Sequence, residues 1–172
     1  MDNHSAGARA MATREHRHIL IIEDHPLEHD LDAALKAEFF DVFTASEAAT
    51  AIGVARTTVL DVALLSMRLF DASAMSVLQA MTSHVPSLPV IVLGTPGDPR
   101  AIVQAMQLGA FDVLPGLVTP ADVVASVRRS IAAHVSDGRL ADRPRGLAAV
   151  RSREVNPPPR ESTRPKHRRR TM

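Results

Sequence analysis

The sequence predicts an α/β domain, a five-stranded parallel sheet doubly wound in (βα)5 order with helices on both faces. Three observations predict it. Strand-length runs recur five times, and three of them, 19–22, 62–65 and 90–93, are apolar at consecutive positions, as in strands buried on both faces. Between them lie segments with apolar residues three and four apart, the spacing of an amphipathic helix. The two patterns alternate along the chain, and strands that alternate with helices assemble into parallel sheets.

The first strand is His18-Ile19-Leu20-Ile21-Ile22, ending in the acidic pair Glu23-Asp24. Leu27, Leu31, Leu35 and Phe39 then recur at helical spacing, and Pro26 suits the first turn of that helix. Asp41 to Ala45 reads as a short strand and Glu47 to Arg56 as an Ala-rich helix. Val62 to Leu65 is the third strand, closed by Ser66, and Ser73 to His84 is a helix with Met75, Leu78 and Met81 inward. Pro89 to Leu93 is the fourth strand. Arg100 to Leu108 is a helix, with Met106 as core filler and Gly109 at its C-terminal cap. Phe111 to Leu114 is the last strand. The final helix opens with Thr119 as N-cap and Pro120 at its first position, carries Val123, Val124, Val127 and Ile131, and ends near Asp137-Gly138.

Composition bounds what such a domain does. The 172 residues include no Cys, which excludes disulfides and thiolate metal sites. With no Trp or Tyr and five Phe, the core is aliphatic. No apolar stretch is long enough to span a membrane, and the polar stretch Met1 to His18 lacks the apolar centre of a signal peptide, so a cytoplasmic location is expected. Charge is split along the chain. Residues 1–135 hold 9 Lys and Arg against 15 Asp and Glu, whereas residues 136–172 hold 11 against 4. The expected organisation is a disordered segment over 1–17, a folded domain over 18–137 and a basic, Pro- and Arg-rich disordered tail over 138–172.

The (βα)5 order, the pair Glu23-Asp24, the strand Pro89-Val90-Ile91-Val92-Leu93 and the segment Leu108-Gly109-Ala110-Phe111-Asp112-Val113-Leu114 together resemble the receiver domain of bacterial response regulators. The resemblance covers about residues 17–136 and implies a flavodoxin-like (CheY-like) fold working in two-component signalling. In that family an acidic pair holds Mg²⁺, an Asp ending the third strand accepts the phosphoryl group, and a Thr or Ser ending the fourth strand and a Lys after the fifth bind its oxygens. Carried over, the acidic pair is Glu23 and Asp24, but the acceptor position falls on Ser66, the hydroxyl position on Gly94 and the Lys position on Gly116. Phe70, Leu117 and Val113 stand where a Pro, a second Pro and an aromatic are usual. Thr95 follows Gly94, so a bulge in the fourth strand would shift the hydroxyl position by one. No Asp lies within two residues of Ser66, and Val113 to Asp122 contains no Lys or Arg.

The expectation is a pseudo-receiver that is not an enzyme, takes no cofactor beyond a weak residual Mg²⁺ site at Glu23 and Asp24, and acts by protein–protein contact. Its partners would be a histidine kinase or an output protein, with a homodimer as a further option. The contact face is expected at Val113, Val123 and Val127. The alternative function is a DNA- or RNA-binding regulator whose body dimerises while the basic tail contacts phosphates. A flavin-binding enzyme has only fold analogy behind it, because His25-Pro26 stands where a Gly-rich phosphate loop would follow the first strand. His25 and His29, four apart, have metal-chelating spacing but no visible third ligand and read as surface residues.

Overall fold

The computed structural model describes residues 16–24, 31–69, 72–95 and 99–136. The expectations for the two tails, for Pro26, Leu27, His25 and His29, and for Phe70 lie outside these residues. Ten elements follow in order: β1 (Arg17–Ile22), α1 (Leu31–Ala37), β2 (Phe40–Ala45), α2 (Ala48–Thr57), β3 (Val62–Ser66), α3 (Ala74–His84), β4 (Val90–Thr95), α4 (Pro99–Gln107), β5 (Asp112–Pro115) and α5 (Pro120–Ser136). The strands form one sheet in the order β2-β1-β3-β4-β5, and every neighbouring pair is parallel.

The apolar runs explain the layers. In a strand, successive side chains point to opposite faces. Ile19, Ile21, Val62, Leu64, Ile91 and Leu93 accordingly pack with Leu31 and Leu35 of α1 and Val123 and Val127 of α5. Leu20, Ile22, Ala63, Leu65, Val90 and Val92 face the other way, against Ala51 and Ala55 of α2, Val77, Leu78 and Met81 of α3, and Ala105 of α4. All twelve of these strand side chains are at most 1% exposed. Burying each Leu or Ile contributes roughly 1.5–3 kcal/mol, so the three central strands dominate the stability of the domain.

Polar groups pin the start of the sheet. Asp61, buried just before β3, accepts the backbone N–H of His18 at 2.8 Å and an Arg17 guanidinium N–H at 3.0 Å. Its own N–H donates to the His18 carbonyl at 2.8 Å, which fixes the β1–β3 register. The start of α5 is capped as its sequence requires. The Asp122 N–H lies 3.3 Å from Thr119 Oγ1, while the Thr119 N–H and hydroxyl both donate to Asp122 Oδ2, a reciprocal capping box. These bonds hold the Asp122 carboxyl below its ordinary pKa. The last turns of α5 return toward the beginning of β5, where the His134 ring stands 5.8 Å from that of Phe111.

Two core expectations are corrected. Phe39 does not extend the inward stripe of α1. The helix ends at Ala37, the chain turns through a left-handed φ of 65° at Phe39, and the ring is 64% exposed. Phe40 takes the place against the α1–α5 core instead. Met106 is likewise 49% exposed, because α4 buries only Ala105 and lays Ala101 and Leu108 along its inner side.

A left-handed backbone is disfavoured by about 1–2 kcal/mol for an ordinary L-residue and much less so for Asn. Phe39→Asn is therefore expected to stabilise the domain by about 0.5–1 kcal/mol, read as a higher urea midpoint at unchanged slope. A lower midpoint would mean that the exposed ring makes a contact worth more than the strain.

Candidate functional site at the carboxyl edge of the sheet

The chain leaves β1 for β2 on one side and reaches β3 on the other, so the strand order reverses between β1 and β3. In open parallel sheets, ligand sites form outside the carboxyl ends of the strands at such a reversal. Glu23 and Asp24, both half-buried, follow β1 directly. The register Ile22↔Leu65 sets Glu23 level with Ser66, the last residue of β3. Ser66 in turn pairs with Leu93 of β4, and the Met67 N–H donates to the Leu93 carbonyl at 3.0 Å. Leu93 pairs with Leu114 of β5, and the ladder then shifts so that Thr95 meets Pro115, leaving Gly94 as the extra residue of a β-bulge. Gly116 follows β5. The sheet thus lines up Glu23, Asp24, Ser66, Gly94 and Gly116 along one edge.

The chemistry of that edge is set by what each position offers. Ser66 is 5% exposed, and its Oγ accepts the Arg68 N–H at 3.2 Å, so the hydroxyl is turned onto its own loop. Gly94 and Gly116 hold φ of 68° and 71°. Among the described residues a Cβ built on either meets no atom within 4 Å, so the backbone is the obstacle there. Threonine, branched at Cβ, is a genuine outlier at such a φ, and an ordinary side chain there loses about 1–2 kcal/mol. The edge therefore presents two carboxylates, the engaged hydroxyl of Ser66, two stretches of bare main chain and, past the bulge at Gly94, Thr95 as the last residue of β4. Among the described residues no three His, Asp or Glu side chains are already grouped about a metal position.

The contact face expected at Val113, Val123 and Val127 needs correction. Val123 and Val127 are completely buried against the sheet, because the stripe they form is the inner face of α5. Val113 is half-buried and packs toward the α2–α3–α4 layer. The exposed apolar residues of this region are Val103 and Met106 on α4 and Leu117 after β5, at 54%, 49% and 84% exposure. The signal for α4 was in the sequence: Ala101, Ala105 and Leu108 form an inward stripe that puts Val103 and Met106 on the other side.

One polar cluster has no counterpart in the sequence reading. Asp112, the first residue of β5, accepts the Ser126 hydroxyl at 2.5 Å and the Arg129 guanidinium at 2.6 Å through Oδ2. Its Oδ1 accepts the Val113 N–H at 2.9 Å. Burial raises the carboxyl pKa, but the hydrogen bonds from Ser126, Arg129 and the Val113 N–H, with the Arg129 charge, together outweigh it and hold the group below its ordinary value. The cluster ties β5 to α5, and so fixes the loop from Gly116 to Thr119 between them.

The profile of the response regulator receiver domain matches residues 19–128, well over half of the chain. The chain belongs to this family. Receiver domains are parts of two-component signalling systems, and its relatives are named as transcriptional regulators. It is 34% identical over 97 residues to the transcriptional regulatory protein KdpE of Staphylococcus aureus, an alignment covering 56% of this chain and 42% of that one. It is 36% identical over 76 residues to the probable transcriptional regulatory protein TcrX of Mycobacterium tuberculosis, covering 44% and 32%. The match therefore spans less than half of these relatives. Among solved structures, a receiver domain from Clostridium thermocellum superposes with a TM-score of 0.63 at 26% identity, covering 70% of this chain and 98% of that one. A CheY-like receiver domain from Methanospirillum hungatei superposes at 0.67 with 18% identity, covering 72% and 99%, a likeness of fold. Among the described residues of this receiver domain, no helix is long and apolar enough to cross a membrane.

The Asp112 cluster makes a pH-dependent prediction. A carboxyl with a depressed folded-state pKa adds stability above its unfolded pKa, and that stability is lost as pH falls through the folded value. Asp112→Asn is therefore expected to lower the urea midpoint at pH 7. The gap to the parent should close as pH falls below the ordinary value of 3.8. A gap that stays constant across that range would assign the loss to packing rather than charge.

Proposed function

We propose that this receiver domain works without phosphotransfer, as a pseudo-receiver that signals by protein–protein contact. The observation carrying the reading is the combination of Ser66, Gly94 and Gly116 at the carboxyl edge, beside Glu23 and Asp24. Acyl phosphate formation needs a carboxylate nucleophile, and its product needs donors for the phosphoryl oxygens. A serine hydroxyl forms no acyl phosphate, so Ser66 does not replace the first. The two glycines, held in left-handed backbone, supply no side chain for the second, and no Lys stands in the loop after β5 to join Thr95, the residue that the β4 bulge brings level with Pro115. On this reading the chain is not an enzyme, it resides in the cytoplasm, and Glu23 and Asp24 retain at most a weak affinity for Mg²⁺. Its partner is a signalling protein such as a histidine kinase or an output protein. The exposed residues Val103, Met106 and Leu117 supply apolar area suited to such contact, and a homodimer through the same region is compatible with it.

A second reading is favoured by the charge split, with 11 Lys and Arg against 4 Asp and Glu over residues 136–172, and by relatives named as transcriptional regulators. In it the basic segment holds nucleic acid by phosphate contacts, and binding weakens steeply with salt.

Incubation with acetyl phosphate and Mg²⁺ is expected to give no phosphoprotein, and Ser66→Asp alone is expected to leave that unchanged. A stable, hydroxylamine-sensitive adduct on the parent chain would overturn the first reading. For the second, full-length protein would retard DNA at low salt and a chain lacking residues 139–172 would not. Equal behaviour of the two chains removes it.

A further inference from the structure

We propose that His16, His18 and Asp41 form a binding site for a divalent ion of the zinc class at the amino edge of the sheet. This edge is opposite the one that bears Ser66. His16 and His18 are two residues apart, which puts them on one side of the chain as it enters β1. The β1–β2 register pairs His18 with Asp41. Asp41 Oδ2 lies 3.5 Å from His16 Nδ1 and 3.6 Å from His18 Nε2.

The tautomer of His18 gives this grouping its meaning. Its Nδ1 lies 2.8 Å from the Val59 carbonyl oxygen. A carbonyl only accepts, so Nδ1 bears the proton and donates it. In the neutral ring Nε2 is then a bare lone pair, aimed at a carboxylate oxygen. Two acceptors then face each other across a gap too long for a hydrogen bond, an arrangement that a cation bound by both would stabilise.

The gap suits a metal. Two ligands at about 2.0–2.1 Å from a tetrahedral zinc ion lie about 3.3–3.4 Å apart. A ring held through its other nitrogen by a backbone carbonyl is the usual support of a metal-bound histidine. Phe43 further fixes the His18 ring, edge to face at 5.7 Å. The His18 and Asp41 side chains are 30% and 44% exposed, so an ion reaches them from solvent. His16, at 69% exposure, has room to turn. No three ligands already enclose one point among the described residues, so the proposed site requires His16 to turn toward His18 and Asp41 as the ion binds. Two imidazoles and one carboxylate match zinc, copper or nickel rather than the all-oxygen shell that Mg²⁺ prefers.

The competing occupant is a proton, which would make His18 an imidazolium paired with Asp41. Calorimetric titration of the metal-free full-length chain with ZnCl₂, beside nitrogen NMR of the histidine side chains, separates the two. One zinc per chain is expected, with His18 Nε2 reporting coordination. Affinity should fall at least about ten-fold in Asp41→Asn and in His16→Gln, and stay unchanged in the double variant His25→Ala/His29→Ala. His16 lies outside the strand, so His16→Gln decides the matter even if Asp41→Asn unfolds. The proposal is overturned if the parent binds no zinc, if His16→Gln binds it as tightly as the parent, or if only the His25/His29 variant loses it.

Discussion

Burial of β1, β3 and β4 on both faces is the constraint on which the rest of the molecule depends. A strand with no solvent side must be covered twice, so α1 and α5 take one face and α2, α3 and α4 the other. Such strands run parallel, and each return to the sheet needs a crossover of a dozen or more residues. Every crossover then starts from the same edge. That shared edge is why Glu23, Ser66, Gly94 and Gly116, far apart in sequence, come to stand in a row. The Asp61 clasp supplies the register: with Arg17 and the His18 N–H held by one carboxylate, β1 and β3 have no freedom to slip.

The elements most legible in the sequence are those fixed by local rules. Continuous Val, Ile and Leu runs mark the central strands within a residue or two, because nothing else tolerates so many apolar side chains in so short a run. Thr119, Pro120 and Asp122 mark the start of α5 because the unpaired N–H groups of a helix end need those residue types there. Phe39 was not legible in this way. It continues the spacing of Leu31 and Leu35, and only the backbone turn at that residue reveals that Phe40 enters the core. The valines of α5 failed for a related reason. Val123 and Val127 share their inner face with buried Ser126, Ser130 and His134, so the helix lacks the clean polar side that would have marked which valines face water.

The candidate site was readable as chemistry but not as backbone. Residue types at 66, 94 and 116 follow from alignment to a strand pattern. The left-handed φ values at the two glycines do not, and they turn missing side chains into positions that resist receiving them. The grouping of His16, His18 and Asp41 was less accessible still. It exists only through the β1–β2 register and the carbonyl of Val59, neither of which leaves a mark on sequence spacing.

The return of α5 to the beginning of β5 gives the domain two poles. Described chain enters at Arg17 and leaves at Ser136 near the amino edge, while the row from Glu23 to Gly116 occupies the carboxyl edge, a strand of six residues or about 20 Å away. The described ends of the chain and the row of site residues therefore lie at opposite edges of the sheet. The sheet between them is buried on both faces, so a contact made at one edge leaves the described surface of the other uncovered.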